Sequence, residues 1–350
     1  MIIPPPITPI IHVPIQFELE HPHDLLTRNF LFDVELFASL LEHYGDSGIV
    51  RLIDLKSLAN QSPIIIDNNL QEVIGDLLFS AQFKSGIYSN IFLFFEHQSR
   101  KVRRFWLRCL RKLLEFYEIY DADPKNMIGK GGKYPYSIVV LLYHGQIRWE
   151  DLLQLRDMME LPSGMDPNVL WFPVILIDLS KIRRDKLTGH PALMALLDTL
   201  ISYSEGKLVE SFERVVSYFE QVKNDQRTYG WLKSLTRYFV ALAKIGFETV
   251  TETISKIINE KETKEMVTST MQELLQEGRK EGIKEGIKEG KIESKIQAVL
   301  KILKVRFKRI PVATENAIKS YKDPIALESL IEQAVICETL SEFERDLAHL

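Results

Sequence analysis

Apolar residues recur at helical spacing from His23 to about Tyr44, with Leu26, Phe30, Phe37, Leu40 and Leu41 along the run and Gly45 at its end. This periodicity predicts an amphipathic first helix. A short apolar piece, PIIID at 63–67, is followed by two longer runs, 72–83 and 89–98, separated by a turn signal around Ser85–Gly86. Together they predict a three-stranded meander. Helical spacing returns from about 100 to 120 (RKVRRFWLRCLRKLLEFYEIY), and two strand-like apolar runs follow, YSIVVLLYHG and WFPVILIDLS at 171–180. Reaching the first of these across a helix is what a parallel connection requires. The order helix, three strands, helix, strand predicts a mixed α/β domain.

From His190 to about Glu265 the pattern is helical throughout, and at 277–290 it changes to EGRKEGIKEGIKEG, with Gly278, Gly282, Gly286 and Gly290 four apart. Glu281 precedes Lys284, and Glu285 precedes Lys288, by three residues, which supports a helix by a few tenths of a kcal/mol per pair. Each glycine costs about 1 kcal/mol relative to alanine. The segment reads either as a solvated linker helix or as a glycine stripe that packs closely against a second copy. Residues 291–350 (LKILKVRF, a break at Pro311, then ALESLIEQAVICETLSEFERDL) predict a small helical domain. The expected divisions are an extended lead-in at 1–19, an α/β domain at 20–185, a helical extension at 186–270, the charged linker helix at 271–292 and the helical domain at 293–350.

Length and composition narrow the class. A chain of 350 residues with 45% apolar and 26% charged residues has room for one substantial core plus appendages and is not a disordered or fibrous sequence. Cys109 and Cys337 form no CxxC or Cys/His cluster, which argues against a disulfide scaffold or a cysteine-based zinc site. The N-terminal MIIPPPITPIIHVP is apolar but broken by prolines and lacks a basic n-region, so an extended lead-in is expected rather than a secretory signal. The longest apolar runs are of strand length, short of the roughly 20 residues that span a bilayer. A cytoplasmic, reduced protein with no membrane partner is expected. The net charge of −4 excludes nucleic-acid coating by bulk charge and leaves room for a local basic patch.

Strand alternation sets Asp76, Leu78, Ser80 and Gln82 on one face, with Leu77, Phe79, Ala81 and Phe83 on the other. On the next run Phe94, Glu96 and Gln98 share a face. A hairpin symmetric about Gly86 pairs positions whose numbers add to 172, which sets Asp76 opposite Glu96. Carboxylates held so close repel, so such a pair shares a proton or holds a divalent cation, for which Mg²⁺ is the natural candidate. The other reading leaves Asp76 at a solvated strand end and Glu96 closing a buried strand against the basic helix that follows. That helix segment carries Arg100, Lys101, Arg103, Arg104, Arg108, Arg111 and Lys112 with no acid between them. Phosphates would relieve their mutual repulsion; acids elsewhere in the fold would also do so.

Asp76 followed by Glu96-x-Gln98 within this element order resembles the PD-(D/E)XK nuclease fold. HD at 23–24 with FLFD at 30–33, GDLLFSAQF at 75–83, FLFFEHQS at 92–99 and LLYHGQIRW at 141–149 are similar, as a set, to the Rpn family of recombination-promoting nucleases, also described as putative transposases. The likeness spans roughly residues 20–180. The EGxx repeat and the C-terminal segment resemble parts often attached to such proteins. The resemblance implies a restriction-endonuclease-like core and metal-dependent hydrolysis of DNA phosphodiesters. In that scheme Asp76, Glu96 and the His97 backbone carbonyl ligate Mg²⁺ or another divalent cation, and Gln98 orients the attacking water. Gln98 stands where the parent fold often has lysine and lacks its charge.

The parent fold often adds an acid from the first helix, for which Asp24, Asp33 and Glu35 are candidates. A lone His23-Asp24 pair is also what a helix N-cap looks like. His144 either touches substrate or ends its strand as a hydrogen-bonded buried histidine. The GKGGK segment lacks the ending and context of a P-loop, and Ser80 and Ser99 have no evident histidine base. The expectation is a Mg²⁺-dependent DNA endonuclease, with a homodimer as a candidate assembly. The alternative is a catalytically silent DNA- or protein-binding module that keeps the fold.

Overall fold

The computed structural model describes residues 22–45, 47–61, 77–85, 91–98, 105–126, 132–146, 149, 172–222, 226–258 and 261–347. The described chain divides into two compact units, which meet in the sequence at Gln272 and Glu273.

The first unit opens with two helices, α1 (Pro22–Leu31) and α2 (Val34–Tyr44), where the periodicity predicts one. Asp33 causes the break: its carboxylate accepts from the backbone N–H of Glu35 (2.9 Å) and Leu36 (3.3 Å), capping α2. An aspartate satisfies orphan N–H groups at a helix start better than it tolerates a helix interior. The apolar stripe continues through the break, with Leu26, Phe30, Leu31, Leu36, Phe37 and Leu40 buried. A short turn of helix, α3 (Ser47–Val50), leads into the sheet.

The sheet has five strands in the order β1 (Ile53–Asn60), β2 (Leu77–Phe83), β3 (Ile91–Gln98), β4 (Tyr136–Tyr143) and β5 (Val174–Asp178). The first three are antiparallel, and β4 and β5 run parallel to β3. The expected strand at 63–67 lies outside the described residues, and the first described strand is β1 at 53–60, which the pattern does not predict. It hides from pattern reading because its register shifts between Asp54 and Ala59. Ser57 holds the irregularity: its Oγ donates to the Asp54 carbonyl (2.6 Å) and accepts from the Gln82 N–H (2.7 Å). Only Ile53 and Leu58 of this edge strand are buried, and an irregular, polar edge resists pairing with other chains.

The β2–β3 hairpin has the predicted register: Leu77 pairs with Phe95, Leu78 with Phe94 and Phe79 with Leu93. Between β3 and β4 the chain crosses over helix α4 (Phe105–Ala122). α4 buries Phe105, Trp106, Cys109, Leu113 and Phe116 against Leu78, Val139, Leu141 and Tyr143 of the sheet. The opposite sheet face receives α1 and α2, with Phe37 stacked on Phe79 at 4.1 Å. This two-sided cover explains why β4 reads as a continuous apolar run.

Helices α5 (Pro191–Ser204), α6 (Leu208–Ser217), α7 (Gln226–Ala243) and α8 (Phe247–Ile257) complete the unit. α5 packs on α1 and α2, and α7 packs on α1. The fully buried Asp198 ties α5 to its neighbours through Arg184 Nε (2.9 Å) and Arg214 Nε (2.7 Å), and accepts from Ser202 Oγ (3.0 Å) within α5 itself.

The second unit takes up helix α9 (Lys261–Phe307) from Glu273 and adds α10 (Val312–Ser320), α11 (Pro324–Ile336) and α12 (Leu340–Leu347). Its core gathers Val299, Leu303, Ile318, Leu327, Leu330 and Phe343. The glycine repeat is helical. A Cβ added at Gly286 or Gly290 would meet nothing, and Ile283 and Ile287 are 57% and 54% exposed. Among the described residues no helix is long and apolar enough to cross a membrane.

Two expectations follow. Asp198→Ala removes an acid that two arginines share, and about 3 kcal/mol of stability should go with it, measured by urea unfolding; a parental midpoint would show the network to be idle. Burial pushes the Cys109 thiol up to about 12, partly opposed by the Lys112 and Arg108 charges. The folded protein's thiol pKa lies above the ordinary value, so this contribution to stability is complete below about pH 9 and is lost as pH rises toward 12. Iodoacetamide at pH 8 should therefore modify Cys109 only on unfolding; fast labelling of the folded chain would contradict this.

Candidate active site

β3 is the central strand, and its last three residues carry the predicted site. Glu96 pairs with Leu141, His97 with Leu142 and Gln98 with Tyr143. Leu141 and Tyr143 both belong to the layer under α4, as does Leu78 of β2. For Glu96, His97 and Gln98 the description is of the strand backbone. Asp76, one residue before β2, lies outside the described residues, as do Ser99, Arg100, Lys101, Arg103, Arg104 and the GKGGK glycines from 129 to 131. Among the described residues no group of three His, Cys, Asp or Glu side chains is placed to hold a metal ion.

Of the predicted cations, α4 carries Arg108, Arg111 and Lys112. Arg108 and Lys112 are half-buried and Arg111 is exposed. Arg111 Nε donates to Glu115 Oε1 at 2.9 Å, so one acid just past the cationic run already answers part of its charge.

The LLYHGQIRW segment forms a lock at the end of β4. The Tyr143 ring meets Trp149 edge-to-face at 5.0 Å, and Trp149 meets Phe105 at 5.8 Å. The Trp149 N–H donates to Asp178 Oδ2 (3.0 Å), and Ser180 donates to Oδ1 from both N (3.0 Å) and Oγ (2.7 Å). Asp178 is buried, with Lys181 Nζ at 3.9 Å. Gly145 is required in this arrangement because a Cβ there would overlap the Tyr143 hydroxyl. Gln146 Nε2 donates to the Ser204 carbonyl (2.8 Å), fastening the segment to α5.

Beyond Tyr143 the chain delivers His144 into a cluster that pattern reading does not foresee. His144 is buried, and its ring lies 4.9 Å from that of His23 in the first turn of α1. Tyr203 of α5 meets His23 edge-to-face at 4.2 Å, and the Tyr238 hydroxyl of α7 lies 2.9 Å from His23 Nδ1. Burial holds the Tyr238 phenol well above its ordinary range, with the neighbouring Tyr203 adding to the shift. It is a neutral hydrogen-bonding group at any physiological pH. The HD and YHG motifs signal the two histidines separately; only the packing of helices some 200 residues on joins them.

This cluster bears on the first-helix acids. Asp24 follows His23 inside the first turn of α1 rather than capping it. Asp33 caps α2 and pairs with Arg227 Nη1 at 3.2 Å, and Glu35 pairs with the same nitrogen at 3.2 Å. Ser80 is half-buried, and its hydroxyl accepts from Gln61 Nε2 at 2.9 Å.

Residues 21–229 match the family described as "Putative transposase, YhgA-like". The recombination-promoting nuclease RpnD of Escherichia coli O157:H7 is 27% identical over 187 residues, covering 53% of this chain and 68% of that protein. The recombination-promoting nuclease RpnA of Escherichia coli K12 is 31% identical over 125 residues, 35% of this chain and 40% of that protein. A third relative from the same strain, titled "Putative inactive recombination-promoting nuclease-like protein YjiP", is 30% identical over 95 residues, 27% of this chain and 91% of that protein. No solved structure matches.

Gly145→Ala should cost about 1–3 kcal/mol by displacing the packed Tyr143 ring. A denaturation midpoint equal to the parent's would show that the β4 lock yields without strain.

Proposed function

The chain belongs to the YhgA-like family of putative transposases, and from that membership we propose that it is a metal-dependent DNA endonuclease with a PD-(D/E)XK core. One observation carries the reading. The described register pairs Leu77 with Phe95, and the sequence arithmetic that predicts this pairing would set Asp76 opposite Glu96 one residue further on. The element order supports the same core: an antiparallel three-strand meander, a crossover helix, then a strand parallel to the third.

The donor set fits a hard divalent cation. Two carboxylates and a backbone carbonyl are oxygen ligands of the kind Mg²⁺ takes. Asp76, Glu96 and the His97 carbonyl would hold it, with Asp24 of α1 as a candidate further ligand; Asp33 and Glu35 pair with Arg227. Bound there, the ion would lower the pKa of a water and offset charge developing on the phosphoryl oxygens.

The chain's own residues would do the rest. Gln98 offers an amide that both donates and accepts, enough to orient a water while adding no charge. Arg108 and Lys112, beside Arg100, Lys101, Arg103 and Arg104, would bind the flanking phosphates and fix the duplex. The Tyr143–Trp149–Asp178 lock would keep the end of β4 rigid beside Gln98, and rigid support preserves geometry at a reacting centre.

One comparison favours a second reading, a silent DNA-binding module: a relative titled inactive matches over nearly its whole length. Supercoiled plasmid separates the two. Purified full-length chain with Mg²⁺ should nick it and stop in EDTA. Asp76→Asn and Glu96→Gln should each lower the rate about 10²-fold or more, the scale of losing an electrostatic catalytic group. Cleavage by both variants at the parental rate would overturn the proposal, and parental DNA retention without cleavage would establish the silent module.

A further inference from the structure

We infer that the end of the C-terminal helical unit where α9 turns into α10 is a second nucleic-acid contact, built to take the phosphate backbone of duplex DNA. Residues 301–322 hold seven cations (Lys301, Lys304, Arg306, Lys308, Arg309, Lys319, Lys322) and one acid, Glu315, in a chain whose net charge is −4. Residues 323–347 hold seven acids and one cation, Arg345. A unit this small is therefore strongly polar in its charge, basic at one turn and acidic along α11 and α12.

The structure brings cations from both helices together at the turn. Glu315 accepts from Lys319 (2.9 Å) and approaches Lys304 (4.0 Å), so the end of α9 and the end of α10 share one carboxylate. Lys308 follows the helix in the left-handed region at φ 60°, and its N–H donates back to the Lys304 carbonyl (3.0 Å). The chain thus reverses with Lys308 and Arg309 at the bend. Arg306 is occupied, donating to the Ala334 carbonyl (2.8 Å) and lying over the Phe307 ring. Lys301, Lys308, Arg309 and Lys322 are exposed and make no ion pair among the described residues. A helix C-terminus is stabilised by a cation or two in its last turn. Here Lys304 and Arg306 already serve that end, and the four others are surplus to it.

Polyanion chemistry answers the surplus, and a duplex fits it better than a lipid surface. The aromatics of this region, Phe307 and Tyr321, pack against the unit's core and are not offered as interfacial anchors. The exposed apolar residues among the cations are Val305 and Val312. A duplex presents its phosphates along a narrow line, about one charge per 1.7 Å of helix axis.

The test uses the full chain in EDTA, so that its outcome is independent of cleavage: fluorescence anisotropy with a labelled duplex across a salt series. Lys308→Glu with Arg309→Glu, and separately Lys301→Glu with Lys322→Glu, should each weaken binding about tenfold or more near 100 mM salt. The slope of log affinity against log salt should become shallower by about 2, given about 0.9 per phosphate contact. Lys308→Arg with Arg309→Lys should bind like the parent, and all variants should melt like it, since every changed side chain is exposed. Folded charge-reversal variants that keep the parental affinity and slope would overturn the inference. So would a parent chain that binds vesicles containing phosphatidylserine but not the duplex, or charge reversals whose sole effect is to abolish low-salt self-association through the acidic face.

Discussion

The chemistry proposed for this protein depends on the register of β3. A strand's side chains alternate with a period of two, so slipping β3 by one residue against either neighbour would move Glu96 and Gln98 to the opposite face. Two independent ladders hold it. The antiparallel hairpin with β2 pairs Leu77 with Phe95, and the parallel ladder with β4 runs unbroken from Ile91–Tyr136 to Gln98–Tyr143. Hydrophobic cover on both faces of the sheet penalises any slip, because α4 packs on one side and α1 and α2 on the other.

The same alternation is what made the centre of the fold legible. The β2–β3 hairpin, the strands β4 and β5, and the apolar side of α4 all follow from local patterns that tertiary packing reinforces. The pattern fails where a polar side chain does a backbone's work. Asp33 ends a helix whose apolar stripe runs on, and Ser57 holds an irregular edge strand whose burial has no simple period. It fails again where partners lie far apart in the chain. Nothing local links His23 to Tyr203 and Tyr238, or Asp198 to Arg184 and Arg214. Within the candidate site, Glu96 and Gln98 could be assigned to one face from spacing alone, whereas the pairing of Asp33 and Glu35 with Arg227, almost 200 residues away, could not be read from the sequence.

Charge tells a parallel story. The near-neutral total conceals a basic run ahead of and into α4, a second basic turn between α9 and α10, and an acidic pair of helices after it. Position along the fold, rather than net charge, decides where a polyanion could bind. On this view the first unit supplies the proposed chemistry and the second adds a separate hold on the same substrate.

The most direct measurement is Mn²⁺ binding by electron paramagnetic resonance, with no DNA present and no turnover required. If β3 sets Asp76 opposite Glu96, the parent chain binds the ion at a defined site that is lost in Asp76→Asn and in Glu96→Gln and survives in Ser80→Ala. Equal Mn²⁺ binding by the parent and by both carboxamide variants would contradict the site at its foundation.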